Sequence, residues 1–247
     1  MQIKPKEQKI IQQAQLLLSQ NNAESAKNIL LKYTRTNKAG HHIWYLLSLS
    51  YAIMGNPTEA LKPATFLVKD HVNDIEYLKL LGSIYHDLHN YDKAIAMFKR
   101  ALKINNKDFQ TISNLANSFK ETHQHDEAEK LYIQSLAIQP NQPDALTNYG
   151  LLMQAIAKLD EAVNLHKKAL QLSPNHAIAL YNLAYALNEK GETSASLQLY
   201  NKTIELVPNH VQALCDIAGI YLKTNQSEYA LPFIQRAVEI APDNEHA

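Results

Sequence analysis

The sequence predicts an all-α solenoid of seven consecutive helix-turn-helix repeats, and three observations carry that prediction. A 34-residue frame can be laid seven times from Glu7 to Asn244 without insertion or deletion. Its last four copies close on Gln139-Pro140-Asn141, Ser173-Pro174-Asn175, Val207-Pro208-Asn209 and Ala241-Pro242-Asp243, so their prolines fall 34 residues apart. Inside the frame, small residues alternate with large apolar ones at helical three-and-four spacing.

The frame divides the chain into a lead at 1–6, repeats at 7–40, 41–74, 75–108, 109–142, 143–176, 177–210 and 211–244, and a stub at 245–247. In each repeat a first helix is expected over roughly the first fourteen positions, then a short turn, then a second helix of similar length. The first helices carry a large residue at the fourth position (Ile10, Trp44, Leu78, Ile112, Leu146, Leu180, Leu214). Another stands at the eleventh (Leu17, Tyr51, Tyr85, Phe119, Met153, Leu187, Tyr221), with Leu47, Leu81, Leu115, Tyr149, Leu183 and Ile217 between them at the seventh. The eighth position is small throughout: Ala14, Ser48, Gly82, Ala116, Gly150, Ala184, Ala218. So is the twentieth, on the second helices: Ala26, Ala60, Ala94, Ala128, Ala162, Ser196, Ala230. Two helices approach closely only where a side chain at the crossing is small, so these positions read as the crossing points of each hairpin.

Breakers mark several turns, in Met54-Gly55-Asn56-Pro57, Leu88-His89-Asn90 and Lys190-Gly191-Glu192. The first repeat is irregular, with Gln13 and Tyr33 at positions that are apolar or small elsewhere, as suits a terminal unit. Pro63 and Pro232 fall inside the second helices of repeats two and seven, where local kinks are expected. His166 stands in an aromatic slot and reads as a packed, hydrogen-bonded core residue.

This pattern resembles the tetratricopeptide repeat: a large residue, Leu-Gly, Tyr, then Ala, an aromatic, and Pro. The third repeat shows it in Leu78, Leu81-Gly82, Tyr85, Ala94, Phe98 and Ala101, with Asn106 where Pro is expected. The resemblance implies a right-handed superhelix whose concave wall is built mainly from first helices.

Composition narrows the function. The 24 basic and 24 acidic residues balance, so nothing points to nucleic acid or an anionic membrane. Cys215 is the only cysteine, which excludes an internal disulfide and suits a reducing compartment. No apolar run has signal-peptide or membrane-span length, and a cytoplasmic protein without membrane insertion is expected. There is no phosphate-binding glycine loop, dinucleotide fingerprint, nucleophile elbow or zinc-protease helix, so no catalytic residue and no cofactor is expected within the chain. Stacked turns would bring His89 near His123, but with no cysteine and no fixed carboxylate beside them no metal site is expected.

The remaining expectation is recognition of a protein or peptide partner. In tetratricopeptide proteins the second, fifth, sixth, ninth, twelfth and thirteenth positions of a repeat face inward. Carried onto this chain, the sixth position gives Gln12, Leu46, Leu80, Asn114, Asn148, Asn182 and Asp216. An amide offers a donor and an acceptor together, so a row of asparagines can pair with an extended peptide backbone. Repeats four to seven thereby resemble the arm of O-linked N-acetylglucosamine transferases. Asn117, Tyr181, Tyr185 and Asn188 surround the row, and Tyr45, Leu49, Lys79 and His86 form a more apolar second subsite.

The clamp with which some family members hold acidic carboxyl termini is matched at Lys79 and Asn114, but Ser83, Asp144 and Asn148 stand where Asn, Lys and Arg are required. An aspartate facing a carboxylate repels it. The expected function is a non-catalytic scaffold that binds an extended segment in the groove. The alternative is a substrate-recruiting arm of a glycosyl-, sulfo- or methyltransferase whose catalytic domain follows Ala247. Ile234 and Val238, expected to be bare on the last helix, suit that alternative or self-association.

Overall fold

The computed structural model describes residues 4–242, so the start of the lead, Asp243, Asn244 and the stub at 245–247 lie outside the described residues. Fourteen α-helices, and no strand, are found among those residues, paired as seven antiparallel hairpins. They are α1 (Pro5–Ser19), α2 (Ala23–Thr36), α3 (His41–Ile53), α4 (Pro57–Asp70), α5 (Ile75–Asp87), α6 (Tyr91–Ile104) and α7 (Phe109–Glu121). Then follow α8 (His125–Ile138), α9 (Pro143–Ala155), α10 (Leu159–Leu172), α11 (Ala177–Glu189), α12 (Thr193–Leu206), α13 (Val211–Lys223) and α14 (Ser227–Ile240). The helices match the 34-residue frame, except that α1 starts two residues ahead of it, where Pro5 occupies the first turn and needs no intrahelical donor. Pro63 and Pro232 are accommodated within α4 and α14, which both run their full fourteen residues.

The hairpin crossings fall at the small positions. Ala14, Ala26, Ala60, Ala94, Ala116, Ala128, Ala162, Ala184 and Ala230 are all fully buried. Where serine replaces alanine its hydroxyl is satisfied across the crossing. Ser48 Oγ donates to Ala60 O at 2.8 Å, and in repeat six the direction reverses, Ser196 Oγ donating to Ala184 O at 2.7 Å. At both crossings that carry glycine the facing residue is a ring: Phe98 covers Gly82 and His166 covers Gly150.

Each hairpin turn has the same backbone. The fifteenth position is left-handed in every repeat, at Asn21, Gly55, His89, His123, Ala157, Gly191 and Asn225, with φ between 56° and 80°. The next N–H then reaches back five residues, as in Asn22 N to Leu17 O, Asn90 N to Tyr85 O and Lys158 N to Met153 O, at 2.8 to 2.9 Å. This is the Schellman closure, which satisfies carbonyls that the helix end leaves free. Several first helices start on side-chain caps: Asp74 accepts from Glu76 N and Tyr77 N, Asp108 from Thr111 N, and His176 and His210 accept through Nδ1 from Ala179 N and Ala213 N.

The chain forms two compact units, Met1–Leu131 and Tyr132–Ala247, divided within α8. In the first, Leu30, Ile43, Leu67, Leu78, Ile84, Phe98 and Ile112 are fully buried between successive helices. Glu7 closes its first repeat by accepting from Gly40 N at 2.7 Å. In the second, Leu152, Met153, Leu180 and Tyr200 form the buried interior, and Tyr132 stacks on Tyr149 with ring centroids 5.5 Å apart.

A periodic polar tie joins neighbouring second helices inside each unit. Arg100 donates to Val72 O at 2.6 Å, Lys202 to Pro174 O at 3.2 Å and Arg236 to Pro208 O at 2.5 Å, each spanning 28 residues. The acceptors lie just past the preceding helix ends, where carbonyls lack helical partners and carry partial negative charge.

Candidate functional site

The candidate surface is the first-helix face of each unit. In the second unit α9 lies beside α11, and a hydrogen bond from Tyr181 Oη to Asp216 Oδ2 at 2.9 Å ties α11 to α13. The expected residues Asn148, Asn182 and Asp216 therefore stand at equivalent positions of consecutive first helices. Asn148, Asn188 and Asp216 are half-buried, and Tyr185 is 41% exposed. Asn182 departs from the expectation, since it is only 7% exposed. The reason is local packing: its carbonyl receives Gln154 Nε2 at 3.4 Å, in a helix whose neighbours Leu180 and Leu183 are buried on both sides.

Asp216 is the electrostatic centre of this face. Burial pushes its carboxyl above the usual range, opposed by hydrogen bonding from Tyr181 and by nearby His210. Tyr181 in turn is pushed strongly up by burial and then by the Asp216 charge, and Tyr200 behaves alike. The Cys215 thiol is raised by burial first and by Asp216 second, so it is poorly disposed to form a reactive thiolate. The Tyr181 ring stacks on His210 at 4.7 Å between centroids and meets Tyr200 at 5.6 Å. His210 and Tyr200 were not among the expected site residues. A histidine closing a repeat, directly before a first helix, was the available sign for His210; Tyr200 reads from sequence as a core ring.

In the first unit the structure gathers Asn114 and Asn117 with Ser83, His86 and Asp87 over the Phe98 ring, around a depression of about 240 Å³. Asn114, Asn117 and His86 are half-buried. His86 Nε2 is buried and has no hydrogen-bond partner, while its ring meets that of Tyr91 at 5.3 Å. This brings His86 beside the asparagines and separates it in role from the other residues of the expected second subsite. Tyr45 packs on Tyr77 at 5.6 Å, and Leu49 packs half-buried against the core between repeats two and three.

Lys79 is already paired, 3.0 Å from Asp108 Oδ2 and 3.2 Å from Glu76 Oε1. Burial alone would lower its pKa, but these carboxylates hold it above the usual value. Asp108, disfavoured as an anion by burial, is held below its usual range by the Thr111 N–H and by Lys79. The single lysine matching the acidic-terminus clamp is thus engaged in tying α5 to Asp108, the residue that caps α7. Asp144, at another clamp position, is bonded to His176 Nε2 at 2.9 Å. His89 Nδ1 lies 2.8 Å from the Tyr91 hydroxyl. Among the described residues no group of three or more His, Cys, Asp or Glu is arranged to hold a metal ion.

On α14, Val238 is 42% exposed, as expected, whereas Ile234 is half-buried. No helix among the described residues is long and apolar enough to cross a membrane.

Comparison with known proteins agrees with this architecture. Profiles of the tetratricopeptide repeat match residues 75–108, 108–175, 157–215 and 211–244, together an unbroken stretch over well more than half of the chain. A search of curated proteins gives no match. Similar crystal structures include a tetratricopeptide repeat protein from Parabacteroides merdae, at 16% identity and TM-score 0.74, covering 97% of this chain and 94% of that one. Pseudomonas aeruginosa pilF is 16% identical with TM-score 0.70, covering 83% and 94% respectively. YrrB, described as a tetratricopeptide protein with an unusual peptide-binding site, is 17% identical with TM-score 0.56, covering 74% and 94%. At these identities the likeness establishes the fold alone. From its repeat frame, its hairpin geometry and its profile matches, the chain belongs to the tetratricopeptide repeat family.

Proposed function

We propose that this protein is a non-catalytic scaffold that binds an extended segment of a protein partner along its first-helix faces. The observation that carries the reading is the set Asn148, Tyr185, Asn188 and Asp216 on α9, α11 and α13, polar or amphipathic residues left partly open on consecutive first helices. Amides at successive repeats can meet successive peptide units, and tyrosine supplies contact area with little ordering entropy. Asn182, being buried, supports the wall and leaves Asn148 and Asn188 as the amides available to a ligand. Asn114 and Asn117 with His86 offer the same chemistry in the first unit. The peptide-binding site named for YrrB, a structural relative, is in keeping with this reading, as is the similarity of the amide row to that of the O-linked N-acetylglucosamine transferase arms.

A second reading, recruitment or self-association through the last hairpin, is favoured by Tyr229, Leu231 and Val238, all exposed on α14. The test that separates them is affinity capture with wild-type protein, an Asn148→Ala/Asn188→Ala variant and a Leu231→Lys/Val238→Lys variant. Partners lost only with the asparagine variant support the groove, and partners lost only with the lysine variant overturn it in favour of α14.

A further inference from the structure

We propose that the first-helix surface around Asp216 receives a basic side chain, lysine or arginine, of the bound segment. This rests on the groove reading and gives it a ligand chemistry.

Three features of the second unit converge on a cation. The first is a carboxylate without a fixed counter-ion. Asp216 is half-buried and takes a hydrogen bond from Tyr181, and its other polar neighbours are Tyr200, Gln212 and His210, none of them a lysine or arginine. His210 uses Nδ1 to cap α13 and its ring face to stack on Tyr181. A partly desolvated carboxylate held by one tyrosine hydroxyl but by no permanent cation is unfavourable in the free protein and favours an incoming one.

The second feature is the aromatic surround. Tyr181 and the fully buried Tyr200 back the carboxylate from inside, while Tyr185, one turn along α11 from Tyr181, is the ring left exposed to a ligand. An exposed ring near a carboxylate adds cation–π attraction to the ion pair, and Tyr185 can supply it.

The third is Gly219, one turn after Asp216 in the interior of α13. A Cβ placed there would meet nothing within 4 Å, and its φ lies outside the left-handed region. Neither a close helix crossing nor an unusual backbone calls for glycine, and glycine weakens a helix interior. It occupies the repeat position that Tyr185 holds on the neighbouring first helix. Its missing side chain leaves the approach to Asp216 open beside that ring.

Random nonapeptides displayed on phage and selected on the full chain test the proposal, with Asp216→Asn and Gly219→Leu as parallel baits. Wild type should enrich peptides with lysine or arginine at one fixed place. In a synthetic copy of the best peptide, norleucine at that place should weaken binding about tenfold or more, and Asp216→Asn should abolish the difference. Gly219→Leu should block binding whereas Gly219→Ala should not. Asp216→Asn, which removes a charge that has no counter-ion, should melt no lower than wild type; if it fails to fold, the Gly219 pair decides.

Enriched peptides with no basic preference, or with one that Asp216→Asn keeps, overturn the cation assignment and leave the groove reading standing. Peptides that tolerate Asn148→Ala/Asn188→Ala and Tyr185→Ala overturn the groove reading itself. No enrichment on wild type overturns both.

Discussion

The His166 ring lies directly over Gly150, so that a methyl group on the glycine would sit 2.5 Å from His166 Cε1. Gly150→Ala must therefore displace a fully buried ring from a closed hairpin crossing. Overpacking of this kind costs roughly 1–3 kcal/mol, offset by about 1 kcal/mol from the better helix propensity of alanine. A net loss is expected in wild type, and a gain in a His166→Ala background where the clash is gone. Urea denaturation of the four proteins in this cycle measures the coupling; equal effects in both backgrounds would show that the crossing is not close.

The same histidine predicts an acid sensitivity. Burial, and to a lesser extent His176, lowers the His166 pKa to about 4, and its Nδ1 has no partner while Nε2 meets Gln154 Oε1 at 3.1 Å. The unfolded chain takes up the proton near pH 6.5 and the folded one does not, so the unfolded state binds more protons between those values. Stability should thus be fully present above about pH 6.5 and fall progressively towards pH 4, by a total on the order of 3 kcal/mol. His166→Phe copies the Gly82 and Phe98 pair of repeat three and should flatten that part of the pH profile in chemical denaturation. An unchanged slope would show that another group sets it.

Ala157 holds a left-handed backbone at φ 61°, at a position where repeats two and six use Gly55 and Gly191. An alanine side chain makes that conformation unfavourable, so Ala157→Gly should stabilise by roughly 1 kcal/mol. Conversely Gly191→Ala should destabilise by a similar amount, and because a Cβ there meets no atom within 4 Å the loss is purely conformational. Thermal melts of the two variants should move in opposite directions.

The repeat frame and the crossing positions were legible in the sequence because helix packing demands small residues at a fixed interval, and Ala14 to Ala230 obey that demand. The left-handed turn was only partly legible: glycine announced it at Gly55 and Gly191, while Asn21, His89, His123, Ala157 and Asn225 adopt it because the Schellman closure around them compensates. The site was less legible still. The shared sixth position suggested equal roles for Asn148, Asn182 and Asp216, but exposure depends on how deeply each first helix is packed, and Asp216 is engaged by Tyr181 from the neighbouring repeat. Likewise Lys79 looked free for a ligand, and its partner Asp108 lies 29 residues away, where local pattern gives no sign of the pairing.

The tie from Arg236 to Pro208 O predicts how the last hairpin is held. Leu231 and Val238 are exposed on α14, so its outer side contributes little apolar burial to docking. A guanidinium donating to a carbonyl just past a helix end contributes about 0.5–1.5 kcal/mol, which is large against the stability of one repeat in a quasi-one-dimensional stack. Arg236→Met keeps most of the aliphatic stem and removes the donor. Hydrogen exchange should accelerate across α13 and α14 and leave α9 and α10 unchanged, because each repeat leans chiefly on its neighbours. Acceleration spread evenly over α9 to α14 would instead mean that the second unit opens as a single block and that the tie secures it as a whole.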